Sequence, residues 1–344
     1  MEIEEKYMRR ALQLARLGYG RVSPNPMVGA VIVAHGKIIG EGYHRRWGEA
    51  HAEVNAIASV NEVDKHLLEE STMYVTLEPC SHYGKTPPCS KLIIDKKIPR
   101  VVVGCLDPYK EVSGRGVKML RDASVDVVVG VLEDECRKVN RKFVTAHTFG
   151  RPYVLLKWAQ TADGYINSDS GHLVVSSPIT RTIMHRERAG YDAILIGANT
   201  LRNDNPSLDV RFWNGNSPLR VVVTETGKGF SSQMKLFADS AKTIVFSKNP
   251  EATSSLAETV KFCDFPQMLA TLYQKGVTSI MVEGGTKILQ QFLSQGLWDE
   301  ARVEMSNGLI HRGVKAPAIP DGDVEFLMID NHQIISVIRQ YVLI

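Results

Sequence analysis

HAEVNAIASV at 51–60 and STMYVTLEPCSHYGKTPPCSKLIIDKKI at 71–98 decide the fold of the first half of the chain. HAEVNAIASV predicts a helix, STMYVTLEP a buried strand and PPCSKLIIDKKI a second helix. Upstream, AVIVAHGKIIGEGYH at 30–44 predicts a hairpin turning at His35-Gly36. Downstream, RVVVGCLDP at 100–108 and SVDVVVGVL at 124–132 supply further strands. This alternation indicates a three-layer α/β domain with a mainly parallel sheet. The opening stretch has Met8, Ala11, Leu12, Leu14 and Ala15 at helical spacing, so it predicts an amphipathic helix packed on that domain.

Bulk properties set outer limits. A chain of 344 residues can bury two separate cores. Its net charge of +3, with acids and bases mixed throughout, gives no electrostatic case for nucleic acid or an anionic membrane surface. Acids at positions 2, 4 and 5 do not read as a signal peptide, and no apolar run approaches the roughly 20 residues that span a bilayer. Five unevenly spread cysteines do not suggest a disulfide framework, and the cytoplasm is the expected compartment.

The pattern changes at 137–152, where RKVNRKFVTAHTFGRP is basic and then punctuated by Gly and Pro. A boundary near Gly150 follows, with domains at 1–148 and 149–344. Beyond it YVLLKWAQ, DAILIGANT, LRVVVTET, KTIVFS, TSIMVEGG and ARVEMSNG predict strands between helical segments. Two α/β domains in tandem are expected.

His51, Cys80 and Cys89 make a zinc set of one imidazole and two thiolates, leaving a position open for water. Water on such an ion loses its proton near neutral pH, and Glu53 is the natural proton shuttle. His51 and Cys89 each open a helix, where partial positive charge favours an anionic ligand. Residues two apart on a helix face different ways, so His51 can bind metal while Glu53 reaches the open side. Two rivals stand: a closed Cys2His2 site completed by His82, and a Cys80–Cys89 disulfide, which suits the cytoplasm poorly. Cys105, Cys136 and Cys263 have no partner pattern and read as buried or incidental. In the second half, TSIMVEGGTKILQQFL is strand, double glycine, helix. It reads equally as an anion-binding turn or a bare tight turn, and it is not a G-x-G-x-x-G fingerprint.

The first-half pattern resembles the H-x-E…P-C-x-x-C signature of nucleobase and nucleoside deaminases, but eight residues separate Cys80 from Cys89. PCSHYGKTPPC, with SPNPMVG at 23–29, GYH…HAE and DPYKEVSGRG at 107–116, resembles the deaminase domain of the bifunctional riboflavin-biosynthesis deaminase/reductase family. The resemblance implies a cytidine-deaminase-like fold. It also implies Glu53 as catalytic residue, Zn2+ on His51, Cys80 and Cys89, and substrate contacts at Asn25, His44, His82, Lys85 and Thr86. His82, Lys85 and Thr86 would hold a ribose phosphate.

LKWAQTADGYI at 156–166, RAGYDAILIGANTLRNDNPSLDVR at 188–211 and the double-glycine turn resemble the same family's dihydrofolate-reductase-like α/β domain. By that resemblance Ala159, Thr200, Asp204, Gly285, Thr286, Lys287 and Ile288 contact NADPH, and Arg188, Leu208, Arg211 and Glu283 contact the substrate. GHLVVSS at 171–177 departs from the family pattern: Val174 stands where an aromatic is usual, and Thr224 where an aspartate is usual.

The expected function is two consecutive steps on a small phosphorylated pyrimidine leading to riboflavin. Zinc-dependent deamination comes first, and NADPH then reduces the ribosyl group to ribityl. Nucleic acid and membrane partners are not expected, and a homo-oligomer is compatible with the sequence. The alternative is a nucleic-acid or nucleoside deaminase with an accessory dinucleotide-binding domain, which would need a basic, aromatic-lined groove. A non-catalytic dinucleotide sensor is a third reading.

Overall fold

A computed structural model of the chain describes residues 4–83, 87–109, 113–169 and 173–340. It divides into two compact units, Met1–Gly150 and Arg151–Ile344.

The first unit begins with α1 (Glu5–Arg16), whose buried Tyr7, Met8, Ala11, Leu12 and Ala15 follow the helical period. The hairpin β1 (Gly29–Ala34) and β2 (Lys37–Tyr43) turns on His35 and Gly36, both at positive φ. Next come α2 (Ala52–Ala58), β3 (Thr72–Leu77), α3 (Cys89–Asp95), β4 (Arg100–Cys105), α4 (Arg115–Asp122) and β5 (Asp126–Val129). The sheet order is β2-β1-β3-β4-β5. Pairings β3–β4 and β4–β5 are parallel, but β1–β2 and β1–β3 are antiparallel. The expected mainly parallel sheet is therefore mixed, because a two-residue turn forces its hairpin to run antiparallel.

Two close approaches fix the layers. A Cβ on Gly29 would lie 2.0 Å from the Ala11 carbonyl, so α1 crosses β1 there. A Cβ on Gly42 would lie 2.2 Å from the Ala56 nitrogen, so α2 rests directly on β2. Most of the basic stretch at 137–152 is helical: α5 (Glu133–Val139) and α6 (Arg141–Phe149) belong to this unit.

The second unit contains β6 (Tyr153–Gln160), β7 (Tyr165–Ser168), α7 (Pro178–Arg188), β8 (Ala193–Gly197), α8 (Ala198–Asp204), β9 (Leu219–Thr224) and β10 (Thr243–Ser247). It continues with β11 (Glu258–Lys261), α9 (Phe265–Gln274), β12 (Ser279–Val282), α10 (Thr286–Ser294), β13 (Glu300–Met305), β14 (Gly313–Lys315), β15 (Asp323–Ile329) and β16 (His332–Ile338). Nine strands form one sheet in the order β11-β10-β9-β8-β12-β6-β13-β16-β15. Pairing is parallel from β11 to β13 and antiparallel through β16 and β15. Leu156, Trp158, Val221, Phe246, Ile280 and Val303 build the core with Leu269, Leu289 and Phe292 from α9 and α10. The near-continuous apolar runs of β8, β9 and β12 are those of strands covered on both faces.

Candidate active sites

In the first unit, β3 ends at Leu77 and delivers Glu78, Pro79 and Cys80 beyond the sheet edge. His51 is the N-cap of α2, and Cys89 is the first residue of α3, just after Pro88. His51 Nδ1 lies 3.7 Å from Cys80 Sγ and 3.4 Å from Cys89 Sγ. All three donor atoms fall within 4.8 Å of one another. One nitrogen and two sulfurs at this spacing fit a zinc ion. His82 is exposed and does not join the cluster, so a closed four-ligand site is not formed among the described residues.

Glu53, in the first turn of α2, is only 3% exposed. Burial and the neighbouring Cys80 push its carboxyl up to about 7, where it can both take and give a proton. A hydrogen bond from Cys89 draws Cys80 down to about 4, and the same bond raises Cys89. The backbone N–H of Cys89 also donates to Cys80 Sγ at 3.3 Å. The helix start thus favours the thiolate of Cys80 rather than its own Cys89.

Asn25 and His44 stand beside this cluster. Asn25 Nδ2 lies 3.1 Å from His44 Nε2, and His44 Nδ1 lies 3.1 Å from the Ala50 carbonyl. Burial lowers the pKa of His44, so the ring is neutral: Nδ1–H donates to Ala50 and Nε2 accepts from Asn25. That leaves the Asn25 carbonyl oxygen for a ligand. His44 also meets the His51 ring edge-on at 5.4 Å. Lys85 and Thr86 lie outside the described residues.

Two residues that hold this site went unread in the sequence. The buried Glu78 carboxylate accepts from the backbone N–H groups of Asp107, Gly114, Gly116 and Val117, at 2.8–3.2 Å. Buried Asn140 pairs with both the N–H and C=O of Met27, at 2.8 and 2.9 Å, and steadies the SPNPMVG loop. Neither residue lies near its partners in sequence, so no local signal reveals either role.

In the second unit a cleft of about 1310 Å³ opens at the carboxyl ends of β6, β8, β9 and β12. All seven residues assigned to NADPH (Ala159, Thr200, Asp204 and Gly285 to Ile288) line it, as do Arg188, Leu208, Arg211 and Glu283. The Gly285 N–H donates to Thr200 Oγ1 at 3.2 Å, and Gly285 caps α10, whose first turn faces the cleft. Arg188 is already engaged: it meets Glu283 at 2.9 and 3.1 Å and donates to the Asp209 carbonyl at 2.6 Å. Its guanidinium therefore orients Glu283 more than it offers a free clamp. Burial alone would raise the Glu283 pKa, but Arg188 and Lys157 outweigh it and hold the carboxylate ionised. Arg211 is exposed and pairs with Asp209. His185, beneath them, is pushed down to about 4 by burial and then by Arg188 and Arg211. Lys157, also unread in the sequence, lines the same cleft.

Where the sequence departs from the family pattern, the structure shows what replaces it. Val174 is 61% exposed in the cleft, Ser176 donates to Glu304, and Ser177 caps α7 by accepting from the Thr180 N–H. Thr224 accepts from the Gly227 N–H. The cleft's volume, its strand-end position and its helix start suit a dinucleotide.

A thiolate-imidazole centre beside a buried carboxylate, and a separate α/β unit with a dinucleotide-sized cleft, define a two-domain enzyme joining a metal-dependent deaminase to a reductase. Residues 1–105 match the cytidine and deoxycytidylate deaminase zinc-binding region, and residues 152–319 match the RibD C-terminal domain. Riboflavin biosynthesis protein RibD of Aquifex aeolicus is 40% identical, covering 91% of this chain and 89% of that protein. The Escherichia coli protein of the same name is 34% identical over 89% and 88%. A solved Thermotoga maritima diaminohydroxyphosphoribosylaminopyrimidine deaminase/5-amino-6-(5-phosphoribosylamino)uracil reductase superposes with a TM-score of 0.90 at 37% identity, covering 97% and 98% of the two chains.

The chain belongs to the RibD family of bifunctional riboflavin-biosynthesis proteins. It is an enzyme with deaminase and reductase activities, a cytidine-deaminase-like domain followed by a RibD reductase domain, and it uses Zn2+ and NADPH. The alternative of a nucleic-acid or nucleoside deaminase with an accessory domain is not favoured. Among the described residues no helix is long and apolar enough to cross a membrane.

Proposed function

We propose that the first unit deaminates a diaminopyrimidinone carrying a ribosylamino 5′-phosphate, and that the second reduces the ribosyl group of the product to ribityl. The substrate named for the Thermotoga maritima relative is the model for the first step. The convergence of His51, Cys80 and Cys89 beside the buried Glu53 carries the reading.

Zinc supplies Lewis acidity toward water and NADPH supplies the hydride. The residues do the rest. Glu53 takes a proton from the attacking water and returns it to the departing amine, so ammonia leaves as the carbonyl forms. Asn25, held by His44, presents its amide oxygen to an N–H on the pyrimidine edge. In the second unit Glu283, fixed by Arg188, accepts from ribose hydroxyls, and Arg211 with its exposed guanidinium meets the phosphate. Gly285, Thr286, Lys287 and Ile288 cradle the cofactor's phosphates at the start of α10, with Thr200 bracing the turn. Ala159 and Asp204 complete the cofactor side, and Leu208, buried at a positive φ, shapes the substrate side.

Five free cysteines support work in a reducing compartment, the cytoplasm. The exposed edge strand β15, with Phe326, Leu327 and Met328 uncovered, supports a homo-oligomer joined along that strand. Sedimentation of F326E tests it: the variant is expected to be monomeric where the parent is not.

The functional reading is tested by supplying the diaminopyrimidine phosphate and NADPH and following ammonia and cofactor absorbance together. Both signals are expected, with cofactor oxidation following ammonia release.

A further inference from the structure

We infer that Glu304 and His332 are positioning residues for the reductase cleft, anchoring from behind the wall segment that contains Val175 and Ser176. Glu304 is 1% and His332 9% exposed. They stand on neighbouring antiparallel strands, with Glu304 of β13 opposite Ile334 of β16. Ser176 Oγ donates to Glu304 Oε2 at 2.6 Å. His332 Nε2 lies 2.9 Å from the Val175 carbonyl, which can only accept, so Nε2 carries the proton and donates. Two consecutive residues are therefore gripped from adjacent strands, one through its side chain and one through its backbone.

Both gripped residues line the cleft, and so does the exposed Val174 before them. On the other side, Glu304 pairs in register with Ala159 of β6, which lines the same cleft. The anchor thus ties the wall to a strand that forms the floor.

Burial makes the anchor strong. Glu304 Oε1 and His332 Nδ1 are buried without a hydrogen-bond partner among the described residues, and His332 Nε2 lies 3.8 Å from that same Oε1. A buried carboxylate with one partnered oxygen holds that partner tightly, because no water competes for it. The only proton on Ser176 Oγ is committed to Glu304, so the hydroxyl offers the cleft an acceptor, not a donor. A ligand touching this wall meets it through an N–H or O–H.

The inference rests on reading the cleft as an NADPH-dependent reductase. Its test is steady-state reduction by full-length S176A, E304A and E304Q, with NADPH and pyrimidine varied separately and ammonia release as internal control. S176A and E304A are each expected to raise one of the two KM values about tenfold while kcat changes less, and the double variant to be no worse than the worse single, since both remove one bond. E304Q keeps an oxygen that accepts from Ser176 and should recover most of the loss. Unchanged KM and kcat in S176A overturn the inference, as does a parallel loss of ammonia release. S176A alters a cleft-lining hydroxyl and removes the risk that E304A fails to fold. A parent protein that leaves NADPH unoxidised overturns both readings, whereas an active parent with unaffected variants overturns the anchor alone.

Discussion

Glu53 and His51 lie two positions apart at the start of α2, and that offset separates their tasks. The imidazole turns toward Cys80 and Cys89 while the carboxyl stays buried beside them with a proton affinity matched to neutral pH. Glu53→Gln keeps shape and burial but removes the shuttle. Ammonia release should fall about 10²- to 10⁴-fold, with zinc content by atomic absorption and the melting temperature unchanged. Cys80→Ser should instead lower zinc content and abolish ammonia release while NADPH oxidation on the deaminated intermediate persists. His185 provides a pH signature for the second unit. Its folded pKa of about 4 is depressed from 6.5, so between those values the unfolded chain binds a proton that the folded chain refuses. Its stabilising contribution is present above 6.5 and is lost as pH falls toward 4. Urea unfolding at pH 7 and pH 5 should show that loss, and H185Q should flatten it.

At the scale of elements, the turn carrying Cys80 is held by Glu78, whose carboxylate collects four backbone N–H groups from the segment before and within α4. A Cβ on Gly116 would lie 1.9 Å from the Pro79 carbonyl, so that approach tolerates no side chain. Glu78→Ala leaves these donors unpaired and should cost about 2–4 kcal/mol in urea unfolding, with ammonia release falling as the cysteine turn loosens. Loss of activity without loss of stability would refute this clamp. The contrast between Cys80 and Glu78 shows what the residues alone make legible. His51, Cys80 and Cys89 announce themselves by chemistry and by local spacing at helix starts. The strands of the first unit and β6, β8, β9, β10, β12 and β13 of the second are equally readable from their apolar runs, whereas β7, β11, β14, β15 and β16 were not read from the sequence. Glu78, Asn140 and Glu304 act on partners 29 to 128 positions away, and a single buried polar residue carries no periodic mark. Long-range pairing also explains the antiparallel fit of β1 against β3 and the engagement of Arg188 by Glu283, since neither follows from any local pattern. The helices at 133–149, seven and nine residues long and carrying charges of both signs, are too short to show a clear apolar period.

At the scale of the whole chain, each unit has its own sheet, core and site. Damage to one chemistry should therefore spare the other. The deaminase and reductase activities belong to one biosynthesis, that of riboflavin. The direct measurement compares the parent chain with E53Q, supplying the diaminopyrimidine phosphate and NADPH while ammonia and cofactor absorbance are followed together. The parent should release ammonia and oxidise NADPH in equal amounts. E53Q should do neither until the deaminated intermediate is added, when NADPH oxidation should proceed at the parent's rate. Normal ammonia release by E53Q, or NADPH left untouched by either protein in the presence of the intermediate, would contradict the account.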